Sequence, residues 1–366
     1  MSGVDRKLAI FLSSLAGGGA ERSMLKLAGG IAQRGLEVEL ILARAKGPYL
    51  AEIPSSVRTV DLGCSRTLAS LPALVRHLRQ QRPQVLLSSI DYVNLIALWA
   101  RRLAGVPVRI VANEQNTLSF RMEERGRVRW VPGLARRFYP WADAITAVSA
   151  GVAEDLCEVT GLPRARIDVI HNPVVTPELH ELKRAEVTDP WLAPGQPPVL
   201  LAVGRLSAQK DFPTLLRAFA AVRRERTARL LILGEGEERG ALEALVAQLG
   251  LTESVRLPGF AANPYAYMSR ASLFVLSSRW EGLPTVLIES LACGLPIVST
   301  DCPNGPQEIL AGGRHGALVP VRDEQALART ILAALEGRTP RPKPESWRPY
   351  ALDTVVDRYL ETLFPV

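Results

Sequence analysis

The stretch VLLAVGRLSAQKD, at positions 199–211, joins a run of five apolar residues to a polar loop that begins with a glycine. The apolar run predicts a buried strand, and the residues after the loop have helical spacing. Arg205 and Lys210 then lie at the carboxyl end of a strand, where open α/β sheets bind ligands. An arginine fork and a lysine point charge suit a diphosphate whose negative charge grows during a reaction. The alternative is that both cations are merely solvated.

The same alternation of short apolar runs and helical periods continues along the chain in both directions. It predicts parallel sheets covered by helices on both faces. The expected fold class is therefore α/β, with two doubly wound Rossmann-like domains facing each other across a cleft. The predicted strands are Lys7–Leu15, Val38–Ala43, Val57–Leu62, Gln84–Ser88, Val108–Ala112, Ala144–Val148, Ile167–Ile170, Val199–Val203, Arg229–Leu233, Val255–Leu257, Leu273–Leu276, Ile297–Ser299 and Ala317–Val319.

The chain of 366 residues is too long for one typical domain. The segment between Val174 and Pro198 is rich in proline and charge, which predicts an interdomain linker. We therefore expect an N-terminal domain over residues 1–173 and a C-terminal domain over residues 174–345. Apolar residues in the tail, residues 346–366, recur at helical spacing. The tail is expected to form a helix that crosses back to the N-terminal domain and packs across the junction.

The composition, with 47% hydrophobic and 22% charged residues, is that of an ordinary soluble protein. The apolar run Leu8–Ala16 is far shorter than the roughly 20 residues that span a bilayer. It leads into Gly17–Gly19 and a helical pattern, which fits a first strand better than the alternative, the core of a secretory signal. Four cysteines without CxxC spacing indicate a reduced cytoplasmic compartment and no structural zinc.

A basic and aromatic block stands out in the first half of the chain, whose net charge is +7. Nine arginines fall between Arg101 and Arg137, in a stretch with only three acidic residues, and aromatic residues interleave with them. The block from Arg121 to Trp141 predicts a surface that binds anionic headgroups on the inner face of the cell membrane. Nucleic acid is the competing partner, but no recognition motif accompanies the charge. A solvated helical face is the remaining alternative.

The stretch EGLPTVLIE, at positions 281–289, places two carboxylates eight residues apart. Proline tolerates the first helical turn and Gly282 breaks what precedes it, so a helix is expected over residues 284–293. Glu281 then lies on the loop before the helix, and Glu289 lies inside it. The N–H groups of the first helical turn favour an anionic ligand between them. The alternative is that Glu281 only complements the helix dipole.

Glycines after the first predicted strand provide a second candidate ligand loop. Gly17–Gly19 open a helix, and glycines there let the backbone approach a phosphate or a sugar closely. Neither this loop nor Gly234–Gly240 makes the G-x-G-x-x-G dinucleotide fingerprint, so an NAD cofactor is not expected. The chain has no D-x-D pair to hold magnesium against phosphates, so we expect no metal.

In this order, the motifs resemble those of the retaining glycosyltransferases of family 4, which have the GT-B fold. The matching stretches are GGGAE at 17–21, HNPV at 171–174, GRLSAQKD at 204–211, GEGEER at 234–239 and EGLPTVLIE at 281–289. The resemblance implies an enzyme without a cofactor that moves a sugar from a UDP-sugar to a hydroxyl group and keeps the anomeric configuration. The segment DCPNGPQE, at 301–308, is similar to members that transfer N-acetylhexosamines.

The resemblance also implies roles for individual residues. Arg205 and Lys210 would hold the donor diphosphate, Glu289 would meet the nucleotide ribose, and Glu281 would contact the transferred sugar. The loop with Gly18 and Gly19 would close over the phosphates. The catalytic candidates are Glu281, Lys210 and Arg205. The donor-binding candidates are Gly18, Gly19, Arg205, Lys210, Gly282, Leu283, Pro284, Thr285 and Glu289.

One departure from the family concerns the acceptor side. Many members carry a histidine in the loop after the fifth strand, where this chain reads Glu114, Gln115, Asn116. Gln115 can hydrogen-bond a sugar hydroxyl but cannot titrate. We therefore expect the donor phosphate itself or Glu114 to accept the proton of the acceptor hydroxyl.

The arginine-rich block suggests that the acceptor is a glycan on a membrane-embedded polyprenyl diphosphate. Two other functions fit the same architecture. A nucleotide-sugar epimerase would convert the donor without an acceptor. A nucleotide-binding scaffold at the membrane would bind the donor without turnover.

Overall fold

A computed structural model of the protein describes residues 6–16, 18–119 and 127–365. The chain divides into two compact units. The first unit consists of the chain up to Pro173 together with the C-terminal segment from Tyr350. The second unit is Val174–Pro349. The tail from Tyr350 onward belongs to the first unit, which confirms its predicted return to the N-terminal domain, and its predicted packing across the junction stays a prediction. No helix among the described residues is long and apolar enough to cross a bilayer.

Over its described residues, the first unit contains a sheet of seven parallel strands in the order β3-β2-β1-β4-β5-β6-β7. The strands are β1 Lys7–Leu12, β2 Glu37–Leu42, β3 Val57–Asp61, β4 Val85–Ser89, β5 Arg109–Glu114, β6 Ala144–Ala147 and β7 Ile167–Val169. The helices are α1 Gly19–Gln33, α2 Leu71–Gln81, α3 Asp91–Ala104, α4 Val131–Phe138 and α5 Ala150–Thr160. In register, Ile10 lies beside Leu40 on one side and Leu87 on the other. The strand order reverses between β1 and β4.

The second unit is described throughout and contains six parallel strands in the order β10-β9-β8-β11-β12-β13. The strands are β8 Val199–Val203, β9 Arg229–Leu233, β10 Val255–Gly259, β11 Leu273–Leu276, β12 Ile297–Thr300 and β13 Ala317–Val319. The helices are α6 Pro177–Leu182, α7 Phe212–Glu225, α8 Arg239–Gln248, α9 Pro264–Met268, α10 Thr285–Cys293, α11 Pro306–Ile309 and α12 Glu324–Leu335. The order of this sheet reverses between β8 and β11.

Each predicted strand is found, with ends that differ by at most three residues. Strands in a parallel sheet are buried on both faces, so their sequences are continuous apolar runs. Such a run can be identified as a strand without knowing which strand it pairs with. The segment predicted as a linker begins the second unit and contains the short helix α6. Lys183, just after that helix, donates a hydrogen bond to the carbonyl of Ala292 at 3.0 Å, which ties the segment to the unit.

The C-terminal helix α13, Leu352–Leu363, completes the core of the first unit. Its predicted apolar face is buried, with Val355, Val356 and Tyr359 at 1% exposure or less. The helix packs on α1, where Gly30 leaves room for Val356: a Cβ on Gly30 would lie 2.7 Å from Val356 Cγ2. The Nδ2 atom of Asn113, on β5, donates to the Tyr359 hydroxyl at 3.0 Å. The helix therefore continues the fold of the first unit.

Residues 121–126 of the predicted membrane-binding block lie outside the described residues. In the described part, Tyr139 is fully buried, and Phe138 and Trp141 pack edge to face with ring centroids 4.9 Å apart. Trp130, by contrast, is 63% exposed. The block is thus partly core, because Tyr139 is buried and Phe138 packs against Trp99 of α3 with ring centroids 5.5 Å apart.

Candidate active site

The loops after β8 and β11 meet at the point where the order of the second sheet reverses. In open α/β sheets this switch point leaves a crevice at the carboxyl ends of the strands, where ligands bind. The loop after β8 carries Arg205 and Lys210, and the loop after β11 carries Glu281. The topology therefore brings together side chains from two motifs that are about 70 residues apart.

Lys210 and Glu281 form the centre of this site. The Lys210 Nζ atom donates to Glu281 Oε1 at 2.6 Å, and the side chains are only 15% and 8% exposed. Ser278 Oγ donates to the same oxygen at 2.6 Å, and Gln209 Nε2 lies 3.4 Å from Oε2. Gly204 allows this arrangement, because a Cβ there would lie 3.1 Å from Lys210 Cε. The Glu281 carboxylate thus has three side-chain donors around it, and it holds the lysine in place.

A second buried ion pair fixes the loop that carries Lys210. Asp211 is 1% exposed and has a left-handed backbone, with φ at 47°. Its carboxylate accepts from Arg279 at 3.0 Å and from the Thr214 hydroxyl at 2.9 Å. Ser277 Oγ also donates to the Lys210 carbonyl at 2.7 Å. No role was predicted for these residues from the sequence, although Asp211 and the SSR triplet at 277–279 adjoin the predicted motifs, and that position is the signal that points to them.

Helix α10 begins at Thr285 with Pro284 as its N-cap residue, which confirms the predicted start. Within this fully described helix no side chain caps the N-terminus and no acidic residue occupies the first turn. The loop through Gly282 and Leu283 packs on the loop after β12. Gly305 has φ at 96°, and a Cβ there would overlap Pro284 Cδ. The Leu287 N–H donates to the Pro284 carbonyl at 3.0 Å, whereas the N–H groups of Thr285 and Val286 point toward the N-terminal end of the helix, where an anionic group is favoured.

The loop after β12 contains Cys302, in the segment linked above to N-acetylhexosamine transfer. Cys302 is 3% exposed, and burial raises the pKa of its thiol to about 12. The Pro303 carbonyl accepts from the Glu281 backbone N–H at 3.1 Å. The segment therefore supports the position of Glu281, and its thiol is an inert buried group at neutral pH. All four cysteines lie in described residues and are free thiols.

Arg205 and Glu289 occupy the outer parts of the site. The Arg205 side chain is 74% exposed and pairs with Glu237 at 3.1 Å. The Tyr265 hydroxyl lies 3.5 Å from a carboxylate oxygen of Glu289, which is half-buried inside α10 as predicted. Arg205 can reorient toward a ligand because it is solvated, whereas Glu289 is held by its helix. Their roles toward a donor stay predictions.

Gly18 and Gly19 belong to the first unit, at the start of α1. Gly18 is the N-cap residue of that helix, and its carbonyl accepts from the Arg22 N–H at 3.2 Å. A Cβ on Gly18 would overlap the carboxylate of Glu21. Gly17 lies outside the described residues. The predicted closure of this loop over phosphates stays a prediction.

Of the acceptor-side candidates, Glu114 is the last residue of strand β5 and Gln115 and Asn116 follow it, and the three differ in exposure. Asn116 is exposed, Gln115 is 6% exposed and Glu114 is 1% exposed. The Gln115 side chain exchanges two hydrogen bonds with Asn172 of the HNPV motif, at 2.8 and 3.2 Å. Tyr139 donates to the Glu114 carboxyl at 2.8 Å. Burial opposes the predicted role of Glu114 as proton acceptor, because its carboxyl does not face solvent and is bonded within the unit.

Burial also changes the titration of Glu114. Desolvation, with the nearby charge of Asp91 second, raises the pKa of the Glu114 carboxyl from 4.5 to about 8. In the unfolded chain the carboxyl ionises near its ordinary value. Between pH 4.5 and 8 the folded protein therefore binds a proton that the unfolded chain releases, and the free energy of unfolding falls as pH rises across this window.

We expect Glu114→Gln to remove this dependence. The variant should gain stability over the native protein as pH rises from 5 to 8, by up to about 1.4 kcal/mol per pH unit. The amide oxygen can still accept from Tyr139. Melting temperatures at pH 5.5 and pH 8 test this, with the exposed Glu154→Gln as control. An equal difference from the native protein at both pH values would contradict it.

Two family models match the chain. Residues 17–177 match the model described as Glycosyltransferase Family 4, and residues 183–354 match the model described as Glycosyl transferases group 1. The motifs quoted above thus fall on both models: the glycine loop and HNPV on the first, and the Lys210 and Glu281 stretches on the second.

Two curated relatives that match over most of the chain are also named as glycosyltransferases. A Campylobacter jejuni protein, named N-acetylgalactosamine-N,N'-diacetylbacillosaminyl-diphospho-undecaprenol 4-alpha-N-acetylgalactosaminyltransferase, is 33% identical over 346 residues, 90% of this chain and 90% of that protein. The Rhizobium meliloti lipopolysaccharide core biosynthesis glycosyltransferase LpsE is 30% identical over 320 residues, 86% of this chain and 84% of that protein. The crystal structure of Anabaena HepE in complex with UDP-glucose matches with a TM-score of 0.79 at 20% identity, over 98% of this chain and 100% of that chain. The structural match shows a shared fold.

Proposed function

The chain belongs to glycosyltransferase family 4 and is a glycan-assembling glycosyltransferase with the GT-B fold, and from that premise we propose its donor, acceptor and stereochemistry. The donor is a UDP-N-acetylhexosamine. The acceptor is a hydroxyl group of a glycan carried on a polyprenyl diphosphate, and transfer retains the anomeric configuration. The observation that carries the proposal is the nearly buried Lys210–Glu281 pair at the switch point of the second sheet.

The proposed donor follows from the charges at this switch point. Lys210 and Arg205 supply two cations, and the first turn of α10 adds backbone N–H groups, which together suit a diphosphate. The structural relative HepE was crystallised with UDP-glucose, which favours UDP over GDP. The Campylobacter jejuni relative is named as an N-acetylgalactosaminyltransferase, which favours an N-acetylhexosamine.

The proposed transfer replaces one bond at the anomeric carbon with another. The bond from that carbon to the β-phosphate oxygen breaks, and its electron pair leaves with UDP. The acceptor hydroxyl oxygen forms the new bond on the same face, and its proton passes to the departing phosphate oxygen. Lys210 and Arg205 stabilise the negative charge on the leaving diphosphate, and Glu281 stabilises the positive charge on the sugar ring.

The direct test is transfer with defined substrates. The protein is incubated with UDP-N-acetylglucosamine, UDP-N-acetylgalactosamine, UDP-glucose or GDP-mannose, together with a synthetic prenyl-diphosphate disaccharide. The product linkage is then read by NMR. An α-linked product from a UDP-N-acetylhexosamine is expected. A β-linked product would refute retention, and transfer only from UDP-glucose or GDP-mannose would refute the donor.

The alternative functions are separated by the same reagents. An epimerase would convert UDP-N-acetylhexosamine to its epimer when no acceptor is present. A nucleotide-binding scaffold would raise its melting temperature with UDP but release no UDP when donor and acceptor are both supplied. We expect neither result, because family membership and the quoted relatives are those of transferases.

We also propose that the reaction needs no metal ion. The chain has no D-x-D pair, and the cations of Lys210 and Arg205 can take the place of a metal opposite the diphosphate. Activity should persist in excess EDTA. Loss of activity on chelation that magnesium or manganese restores would show that a metal holds the donor.

Peripheral binding to the cytoplasmic face of the membrane is part of the proposal, since a polyprenyl-linked acceptor is embedded there. The block from Arg121 to Trp141 should bind anionic vesicles, with each basic residue near the surface worth about 1 kcal/mol. Added salt should weaken this binding. Vesicle sedimentation measures it, and equal partitioning onto neutral and anionic vesicles would contradict a role for the arginines.

A further inference from the structure

The first unit has a polar pocket at its own switch point, where its strand order reverses between β1 and β4. The pocket has a volume of about 150 Å³ and is lined by side chains that follow four neighbouring strands. Ser13 and Ser14 follow β1, Arg44 follows β2, Arg66 follows β3, and Tyr92 follows β4. Two exposed arginines beside hydroxyl groups form a cationic pocket with room for a small anionic group.

An apolar groove adjoins this pocket. It has a volume of about 500 Å³, within the range of roughly 300–1,000 Å³ that small-molecule sites occupy. Leu95 and Ile96 of α3 form its floor at 2% exposure or less, and Leu134 of α4 lines it as well. Its rim carries Leu68 and Trp130, which are 60% and 63% exposed. Large apolar side chains that stay exposed around an apolar concavity indicate a binding surface.

Tyr92 lines both cavities. Its hydroxyl lies 3.5 Å from the Ser13 hydroxyl in the polar pocket, and the residue also lines the apolar groove. Tyrosine suits such a boundary, because one end is apolar and the other hydrogen-bonds. A ligand that occupies both cavities therefore needs an anionic group joined directly to a hydrocarbon chain.

We propose that these two cavities together bind the prenyl diphosphate of the acceptor, with the diphosphate in the pocket of Arg44 and Arg66 and the first isoprene units in the groove. This rests on the proposed function, which it extends by locating the lipid part of the acceptor. The occupant is inferred from the order of its chemical groups. In a prenyl diphosphate the anionic diphosphate is joined to the apolar chain, and in the protein the cationic pocket adjoins the apolar groove. A free sugar would leave the groove empty, and a neutral lipid would leave the arginines unpaired.

Farnesyl diphosphate is the probe, measured by calorimetry with no sugar donor present. Inorganic pyrophosphate and farnesol test each half of the site separately. We expect farnesyl diphosphate to bind more tightly than either. Leu68→Ser and Trp130→Ala should weaken farnesyl diphosphate and farnesol about tenfold, because each removes apolar burial, and should leave pyrophosphate unchanged. Arg66→Gln should weaken farnesyl diphosphate and pyrophosphate and leave farnesol unchanged.

Matched controls come from the same unit. Leu103 of α3 is 56% exposed and does not line the groove, and Arg102 is exposed beside it. Leu103→Ser and Arg102→Gln should bind all three probes like the native protein. All substituted residues are exposed, so a native melting temperature is expected for each variant.

Several results would overturn the proposal. The first is that farnesyl diphosphate does not bind. The second is that the groove variants and the control variants weaken farnesyl diphosphate binding equally. The third is that the groove variants keep native affinity for farnesyl diphosphate but lose binding to vesicles that contain no prenyl lipid. The last result would mean that the groove meets the bilayer surface instead. Because the assay contains no donor, it is independent of turnover. Lipid binding without transfer would refute the proposed function alone, and transfer with unaffected groove variants would refute this proposal alone.

Discussion

Replacing Lys210 with alanine is expected to lower turnover about a hundredfold or more, the typical cost of losing one group that stabilises charge in a transition state. Lys210 is the cation held most firmly at the switch point of the second sheet, since Glu281 holds it at 2.6 Å. The departing UDP would lose this charge at the moment when its own charge increases. Steady-state kinetics at saturating donor measures the effect.

The control for Lys210→Ala is Lys343→Ala, because Lys343 is an exposed lysine of the same unit outside the site. Removing Lys210 also leaves the nearly buried Glu281 carboxylate without its cation, which can destabilise the unit. The double variant Lys210→Met with Glu281→Gln removes both charges and separates folding from catalysis. Near-normal turnover of Lys210→Ala at saturating donor would remove this residue from the mechanism.

Glu281→Gln and Glu289→Gln are expected to fail in different ways. Glu281→Gln should lower kcat on the order of a hundredfold and leave UDP affinity close to native, because its charge matters as the sugar ring becomes positive. The amide can still accept from Lys210 and Ser278, so the loop should keep its shape. Glu289→Gln should weaken UDP about tenfold or more, the usual cost of losing a charged hydrogen bond to a ribose.

Calorimetry with UDP is the discriminating measurement for the two glutamates. The exposed Glu253 of the same unit provides the matched control, Glu253→Gln. Loss of UDP affinity in Glu281→Gln with native affinity in Glu289→Gln would reverse the two roles. Native turnover in both variants would make both carboxylates structural.

Much of the fold could be predicted from the sequence because its signals are local. The run Val199–Val203 is apolar at every position, since a central parallel strand is covered on both faces, and the structure gives it the predicted ends. The start of α10 at Thr285 follows from the glycine and proline before it. The face of α13 with Val355 and Tyr359 follows from its spacing alone.

The candidate site could be predicted only in part. The sequence placed Lys210 and Glu281 on loops at strand ends, but not in contact with each other. It assigned Glu114 to the acceptor, whereas Tyr139, 25 residues later in the chain, covers its carboxyl. The sequence also gave no signal for the pairing of Asp211 with Arg279, because the sequence around a charged loop residue does not show whether its side chain is solvated or forms an ion pair.

The sequence by itself determined the strands, the helices, the two-unit α/β architecture and the family, because each depends on residues that are near one another in the chain. Tertiary structure alone decided which side chains share a site. Lys210 meets Glu281 because β8 lies beside β11, and Arg34 of α1 pairs with Asp357 of α13 across 323 positions. Burial decided the rest, since the same carboxylate is a solvated charge on a surface loop and a proton-binding group, as Glu114 is, inside a core.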